Sequence, residues 1–245
     1  MPEHELWVTA LFNQYLGGFA NALLALVGVE AEHPNKPWTN FVVLQIVVFL
    51  VLVVMSTWLR PRLSMDRPGG LQHFFELIYG FLRGQSEEII GHHGPKYLHL
   101  FATLFLFILF GNQLGILPTF ESPTMFAPVP LGCALFAFLY YNLMGVRDQG
   151  QLRSAAHFAG PVWWLAPIMF PIEIVSHLAR PLSLTVRLFA NMFAGENVFL
   201  VFLKLTYFVV PVVFMALHIF VGVLQAYIFV LLTMVYVQGA VAHEH

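Results

Sequence analysis

Two arginines and a glutamate interrupt a long apolar stretch in the last third of the sequence. Arg180, Arg187 and Glu196 lie in "ARPLSLTVRLFANMFAGE". An arginine stays charged in proteins and cannot relay protons, whereas a glutamate can gain and lose one. A cation in a medium of low dielectric constant favours the ionised form of a nearby carboxylate. These residue types therefore indicate ion transport, with a fixed charge placed near titratable groups.

The polar residues around Arg187 recur at helical spacing. Neighbouring members are three or four residues apart, with one adjacent pair: Glu173, Ser176, His177, Arg180, Ser183, Arg187 and Asn191. Residues at this spacing share one side of a helix, so they predict a polar stripe. A second set falls roughly on one side of the next apolar segment: His218, Gly222, Gln225 and Thr233. Polar groups at membrane depth are energetically costly, so we expect both sets to face protein or a water-filled cavity.

The partner of Arg187 is open at this point. The nearest acids in the segment, Glu173 and Glu196, lie fourteen and nine residues away along the chain. Either one of them folds back towards the arginine, or the carboxylate belongs to another chain. For Arg180, snorkelling to the membrane surface and pairing within the protein are equally compatible with its position.

The composition predicts an integral membrane protein. Of 245 residues, 59% are hydrophobic and 10% are charged, and the mean hydropathy is +0.76. A soluble domain carries about 25% charged residues. The net charge of −2 gives no reason to expect a nucleic acid partner. Cys133 is the only cysteine, so no intrachain disulfide can form, and we expect it to pack against lipid or helices.

The apolar segments predict an all-α polytopic fold with about five membrane helices in a single domain, residues 1–245. A bilayer core of about 30 Å takes about 20 apolar residues as a helix. Residues 38–59 meet this requirement as one span, and residues 97–146 predict a helical hairpin. Residues 160–242 predict two helices joined near residues 195–207. Both are expected to incline steeply. Residues 205–242 contain no Asp, Glu, Lys or Arg, and as a helix they would be about 57 Å long, while the first helix of the pair is also long.

The distribution of basic residues predicts the orientation. Residues 1–40 contain one base and four acids, whereas five bases follow the first span before residue 97. Basic loops face the cytoplasm. The N-terminus, within an outer segment of residues 1–37, is therefore predicted outside and the C-terminus inside. Within that segment, residues 6–29 are apolar but interrupted by Asn, Gln and Gly, which favours an interfacial helix over a span.

Residues 71–90 predict an amphipathic helix on the cytoplasmic surface. Apolar side chains recur at helical spacing on one side, while Gln72, His73, Glu76 and Arg83 are predicted on the other. Glu88 and His92 are four residues apart, as in a metal pair, but a surface acid–base cluster is the simpler interpretation. We expect neither a metal nor a cofactor.

Two other function classes fit the sequence less well. An ion-coupled secondary transporter would be expected to show repeated halves with matching broken helices, and the sequence shows no such repeat. An intramembrane serine protease would need a serine–histidine pair, and no G-x-S-x-G element is present. The transporter is the alternative function.

The motif "RPLSLTVRLFANMFAGE", followed by "LHIFVGVLQAYIFVLLTMVYV", resembles the signature of subunit a of F-type ATP synthases, the membrane stator beside the rotating c-ring. The resemblance extends over most of the chain, including the first span and "NQLGILP" at residues 112–118. It implies that the essential arginine is Arg187. It places the outer proton pathway at Asn191, Glu196, His218 and Gln225, and the inner pathway at Glu173, Ser176 and Ser183. At Gly115 some relatives carry an acid.

The resemblance also implies the partners and the location. These are the c-ring subunits, the peripheral-stalk subunit b, the remainder of the ATP synthase complex and membrane lipid. The expected location is the bacterial inner (plasma) membrane. The chain is expected to be a non-catalytic channel subunit, and it contains no G-x-x-x-x-G-K-[ST] phosphate-binding motif.

Overall fold

The apolar segments of the sequence form α-helices. The computed structural model describes residues 6–27, 36–65, 68–117, 120–149, 166–206 and 209–241. Their helices are α1 (Trp7–Val27), α2 (Asn40–Leu59), α3 (Gly70–Ile90), α4 (Leu98–Leu114), α5 (Pro128–Gln149), α6 (Ala166–Leu205) and α7 (Val209–Val241). Short 3₁₀ turns cover Arg60–Arg62, Gly94–Tyr97 and Pro123–Met125. None of the described residues forms a β-strand.

Five of the described helices are long and apolar enough to cross a membrane: α2, α4, α5, α6 and α7. This confirms the prediction of an all-α polytopic membrane protein. Large apolar side chains cover the outside of these helices, among them Phe49, Val54, Leu139, Leu143, Val175, Leu182 and Val213. Such a surface is stable in lipid, where helices associate by close packing and polar contacts rather than by escape from water.

Helix α7 forms the centre of the bundle and packs against α3, α4, α5 and α6. Its buried face carries Ala226, Phe229, Val230, Met234 and Val237. Close approaches hold it there. At Gly145 of α5 the position of an added Cβ atom would lie 3.1 Å from the Ala240 carbonyl oxygen, so any larger residue would push the two helices apart.

The junction between the last two helices differs from the prediction. Helix α6 continues through Gly195 and ends at Leu205, and α7 begins at Val209, so the break is far shorter than the predicted 195–207. Glycine marks close packing here rather than a helix end, because its missing Cβ admits a neighbouring side chain. With 40 and 33 residues, α6 and α7 measure about 60 and 50 Å. Both lengths exceed a bilayer core of about 30 Å, and the steep inclination of the two helices stays a prediction.

One face assignment on α3 is wrong. His73, Glu76 and Arg83 are exposed as expected, but Gln72 is buried. Its amide Nε2 donates to the Ser64 carbonyl oxygen at 2.9 Å, and its Oε1 accepts from the Ser64 backbone N–H at 3.1 Å. The backbone of Ser64, between α2 and α3, therefore covers this side chain. The cytoplasmic position of α3 stays a prediction.

Candidate functional site

Arg187 lies on an exposed face of α6. Ser183 and Asn191, one helical turn away on either side, share this face and are also exposed, as is Ser176 two turns further from Ser183. The neighbouring Leu188 is instead buried. In the described part of the chain, no carboxylate or hydrogen-bonding group contacts the Arg187 guanidinium. The charge therefore points out of the protein.

The predicted polar stripe divides between two environments. His177 Nε2 lies 2.8 Å from Asn142 Oδ1 on α5, and its ring centroid lies 4.9 Å from that of Phe138. The Arg180 guanidinium carbon lies 5.4 Å from the centroid of the Tyr236 ring on α7, which is a cation–π distance. This contact between α6 and α7 gives the Arg180 charge a partner within the protein, so its position does not require snorkelling to the membrane surface. Glu173, one turn before His177, is half-buried.

Glu196 occupies the opposite side of α6 from Arg187. Nine residues correspond to 2.5 turns, so the two side chains leave the helix about 180° apart and about 14 Å apart along its axis. Glu196 is only 7% exposed. Its Oε2 accepts a hydrogen bond from the backbone N–H of Ser122, with 3.4 Å between N and O. Of the two possibilities for the partner of Arg187, folding back of Glu196 is therefore excluded.

Glu196 and His218 line the same small cavity. Its other walls are Gly115, Ile116, Phe199 and Met215. The cavity volume is about 10 Å³, which is close to the minimum for one water molecule. His218 comes from α7 and is 8% exposed. The carboxylate and the imidazole thus line one small space together with mostly apolar walls.

Two glycines make this arrangement possible. A Cβ atom on Gly195 would lie 2.8 Å from His218 Nδ1, closer than side chains tolerate. A Cβ atom on Gly115 would lie 3.1 Å from the Ser122 nitrogen and 3.5 Å from Glu196 Oε2. An acid at position 115, as expected in some relatives, would therefore lie directly beside Glu196.

A buried hydrogen-bond network holds the loop between α4 and α5. The Ser122 hydroxyl lies 3.0 Å from the Gly111 carbonyl oxygen, to which it donates, and 2.7 Å from the Thr124 hydroxyl. Thr124 Oγ1 donates to Asn112 Oδ1 at 2.6 Å. Asn112 Nδ2 in turn donates to the Gly222 carbonyl oxygen on α7 at 2.8 Å. The network fixes the Ser122 N–H that contacts Glu196.

Sequence reasoning missed Ser122 and Thr124. Both belong to the connection within the predicted hairpin of residues 97–146, and no spacing relates Ser122 to a glutamate 74 positions later. The only available signal was the pair of hydroxyl residues between two spans, where polar side chains need partners.

The structure groups the predicted site residues in three places. Glu196 and His218 share the cavity. Gln225 is buried on α7, two turns beyond His218 on the same side. Ser176, Ser183 and Asn191 lie with Arg187 on the exposed face of α6, and Glu173 is half-buried nearer its start. Among the described residues, no group of three or more His, Cys, Asp or Glu side chains could hold a metal ion.

Comparison with known proteins decides the family. A family model described as "ATP synthase A chain" matches residues 41–238. The chain belongs to the ATP synthase A chain family. It is 61% identical to ATP synthase subunit a of Solibacter usitatus over 96% of this chain and 100% of that relative. It is 49% identical to ATP synthase subunit a of Koribacter versatilis over the full length of both. Identity to the Trichlorobacter lovleyi subunit a is 37% over 96% and 98% of the two chains.

The family match contains every candidate site residue. It begins one residue into α2 and ends three residues before the last residue of α7. The resemblance found in the motif around Arg187 is therefore confirmed at the level of the family. Helix α1 lies outside the residues that the family model matches.

Proposed function

We propose that the chain is the proton-translocating stator subunit in the membrane sector of an F-type ATP synthase. Membership of the ATP synthase A chain family supports a role in ATP synthesis and proton transport. In this role the chain offers two offset half-channels to a carboxylate on the c-ring, and Arg187 separates them. The chain itself performs no nucleotide chemistry.

One observation carries the proposal: Arg187 is exposed, and no described residue of its own chain pairs with it. An arginine at the centre of a membrane helix costs about 2.5–3.5 kcal/mol on insertion scales. A carboxylate from a neighbouring subunit would offset that cost with a charge-assisted hydrogen bond. The arginine can then favour the ionised carboxylate during contact and release it when the neighbour moves.

The order of residues on α6 supports two separate routes. Asn191 and Ser183 flank Arg187 on the same face, each about 6 Å away along the helix axis. The outer route brings protons by Glu196, His218, Gln225 and Asn191. The inner route takes them by Ser183, Ser176 and Glu173.

Rotation follows from the charge state of the ring carboxylate. A neutral carboxylic acid can enter lipid, whereas an ionised one pays a large desolvation cost. The carboxylate therefore travels through lipid only when protonated, and it passes Arg187 only when ionised. A proton cannot go directly from one route to the other, because the fixed positive charge lies between them.

The partners and the location belong to the same proposal. The c-ring contacts the exposed face of α6, and the peripheral-stalk subunit b and the remaining subunits complete the complex. The chain spans the bacterial inner membrane several times, with its N-terminus outside and its C-terminus in the cytoplasm.

Disulfide crosslinking in the assembled complex tests the proposal. Ser183→Cys and Asn191→Cys, each in a Cys133→Ala background, are combined with a cysteine next to the ring carboxylate. Both should crosslink on mild oxidation because both are exposed on the Arg187 face. Leu184→Cys and Leu188→Cys are matched controls, since both side chains are buried. Equal crosslinking of the buried and exposed positions, or none at either exposed position, would refute the assignment of this face.

A further inference from the structure

Helix α1 exposes large apolar side chains, which a helix on a water-exposed surface would bury. Its exposed side carries a ridge of large apolar and aromatic side chains four residues apart: Trp7, Leu11, Tyr15 and Phe19, which are 58%, 43%, 75% and 62% exposed. Residues at this spacing lie one above the other along a helix. The only polar side chain described within this side is Gln14.

Two polar side chains of α1, Thr9 and Asn13, face the protein instead. Thr9 is 1% exposed. Asn13 binds both backbone groups of Trp38: its Nδ2 donates to the Trp38 carbonyl oxygen at 3.3 Å, and its Oδ1 accepts from the Trp38 N–H at 2.9 Å. A helix lying in water would place these groups outward and the aromatic ridge inward.

Helix α1 crosses the end of the helix bundle. The Leu6 N–H donates to Asn40 Oδ1 at 3.4 Å, and Trp38 Nε1 donates to the Leu16 carbonyl oxygen at 3.0 Å. Leu6 directly precedes α1 and lies ten residues before Leu16, which is about 15 Å along a helix. Both contacts nevertheless reach only the first residue of α2 and the segment before it. The Trp7 ring also meets that of Phe120, with centroids 6.2 Å apart.

The two contact regions of α1 lie at the same end of the bundle. Phe120 belongs to the α4–α5 loop, and the Phe41 ring at the start of α2 lies 5.8 Å from the ring of Phe126 in that loop. Helix α1 therefore bridges the start of α2 and the α4–α5 loop. A spanning helix would instead follow α2 into the membrane.

The residue types of α1 indicate that its exposed side lies in lipid. Its 21 residues include no Asp, Glu, Lys or Arg, and the helix is not among the five candidate spans. Tryptophan and tyrosine favour the boundary between headgroups and acyl chains. A continuous apolar ridge of this size is unfavourable in water.

We propose that α1 is an in-plane membrane anchor that inserts the ridge of Trp7, Leu11, Tyr15 and Phe19 into the lipid leaflet at the α4–α5 loop end. The partner that this ridge contacts is the bilayer itself. Because α1 carries no charged side chain, the insertion does not depend on anionic lipid. Since Phe120 precedes Ser122 by two residues, the anchor also steadies the loop that contacts Glu196. The insertion does not depend on the proposed function; only its assignment to the outer leaflet uses the proposed topology.

Spin-label accessibility tests the insertion. Single cysteines replace Tyr15 or Phe19 in a Cys133→Ala background, and the labelled complex is reconstituted into phosphatidylcholine vesicles. Collisions are measured with oxygen, which concentrates in lipid, and with a water-soluble nickel chelate. We expect oxygen accessibility to exceed nickel accessibility at both ridge positions. The reverse order is expected at Glu76→Cys, an exposed position on the polar side of α3.

Each other outcome overturns the proposal. Dominant nickel accessibility at Tyr15→Cys and Phe19→Cys would show that the ridge faces water. Low accessibility to both reagents would show that another subunit covers it. Both side chains are exposed, so their replacement leaves the packed face of α1 intact, and assembly is checked by co-purification of the variant chain with the other subunits.

Discussion

The imidazole of His218 packs directly against Gly195, with Nδ1 only 2.8 Å from the point that a Cβ atom of residue 195 would occupy. The glycine thus sets the distance between α6 and α7 next to Glu196. This contact gives a physical role to a glycine inside a long helix, where it costs roughly 0.5–1 kcal/mol relative to alanine.

Gly195→Ala should lower proton-driven ATP synthesis although it improves helix propensity. The new methyl group would displace the His218 imidazole from the cavity that it shares with Glu196. The measurement is ATP synthesis in vesicles energised with a proton gradient. Gly239→Ala is the control, because an added Cβ atom there meets nothing within 4 Å. His218→Ala should reproduce the loss with the complex still assembled; wild-type synthesis in both variants would make His218 a packing residue only.

Arg187→Ala should abolish ATP-driven proton pumping in inverted membrane vesicles. A hydrogen bond to a charged group contributes about 1.5–3 kcal/mol, so its loss alone predicts a decrease of roughly tenfold or more. Arg187→Lys should also fail, because an ammonium lacks the planar fork of a guanidinium and can lose its proton when desolvated.

Arg180→Lys is the matched control for the arginine variants. Arg180 lies over the Tyr236 ring within the chain, and a lysine can keep that cation–π contact. Pumping should therefore stay near the wild-type rate. An assembled Arg187→Ala complex that pumps almost normally would contradict the proposed mechanism.

Thr124→Val should destabilise the assembled subunit by about 1–3 kcal/mol, because it leaves buried polar groups of Ser122 and Asn112 without their partner. The Thr124 hydroxyl lies 2.6 Å from Asn112 Oδ1 and 2.7 Å from the Ser122 hydroxyl. Thermal inactivation of the purified complex is the measurement. Thr103→Val is the control, since that exposed hydroxyl donates only to its own helix at His99. Equal inactivation temperatures for the two variants would argue against a structural role for the network.

Glu76→Cys should react with a membrane-impermeant maleimide from the cytoplasmic side. The side chain is exposed on α3, and the basic residues around this helix predict a cytoplasmic position for it. Gln72→Cys should react much more slowly, because Gln72 is buried under the segment that precedes α3. Labelling of Glu76→Cys only from the outside would invert the topology. Both variants require the Cys133→Ala background.

Much of the site could be predicted from helical periodicity and residue chemistry. The spacing of Ser183, Arg187 and Asn191 places them on one face, and all three share an exposed face of α6. Periodicity also predicts that Arg187 and Glu196 lie on opposite sides of the helix, because nine residues correspond to two and a half turns. Periodicity does not state which face meets a neighbour. His177 and Arg180 fall within the same stripe but bind Asn142 and Tyr236.

The sequence by itself determined the helical membrane fold, the family and the chemical types at the site. Lipid admits only segments that satisfy their own backbone hydrogen bonds, so long apolar runs become helices in almost any packing arrangement. Tertiary structure alone decided that Ser122 holds Glu196, that Gln72 is buried, and that Gly195 receives His218. These contacts join residues that no local period relates. They form only when separate helices approach within a few ångströms, and that approach depends on the shapes of all the side chains between them.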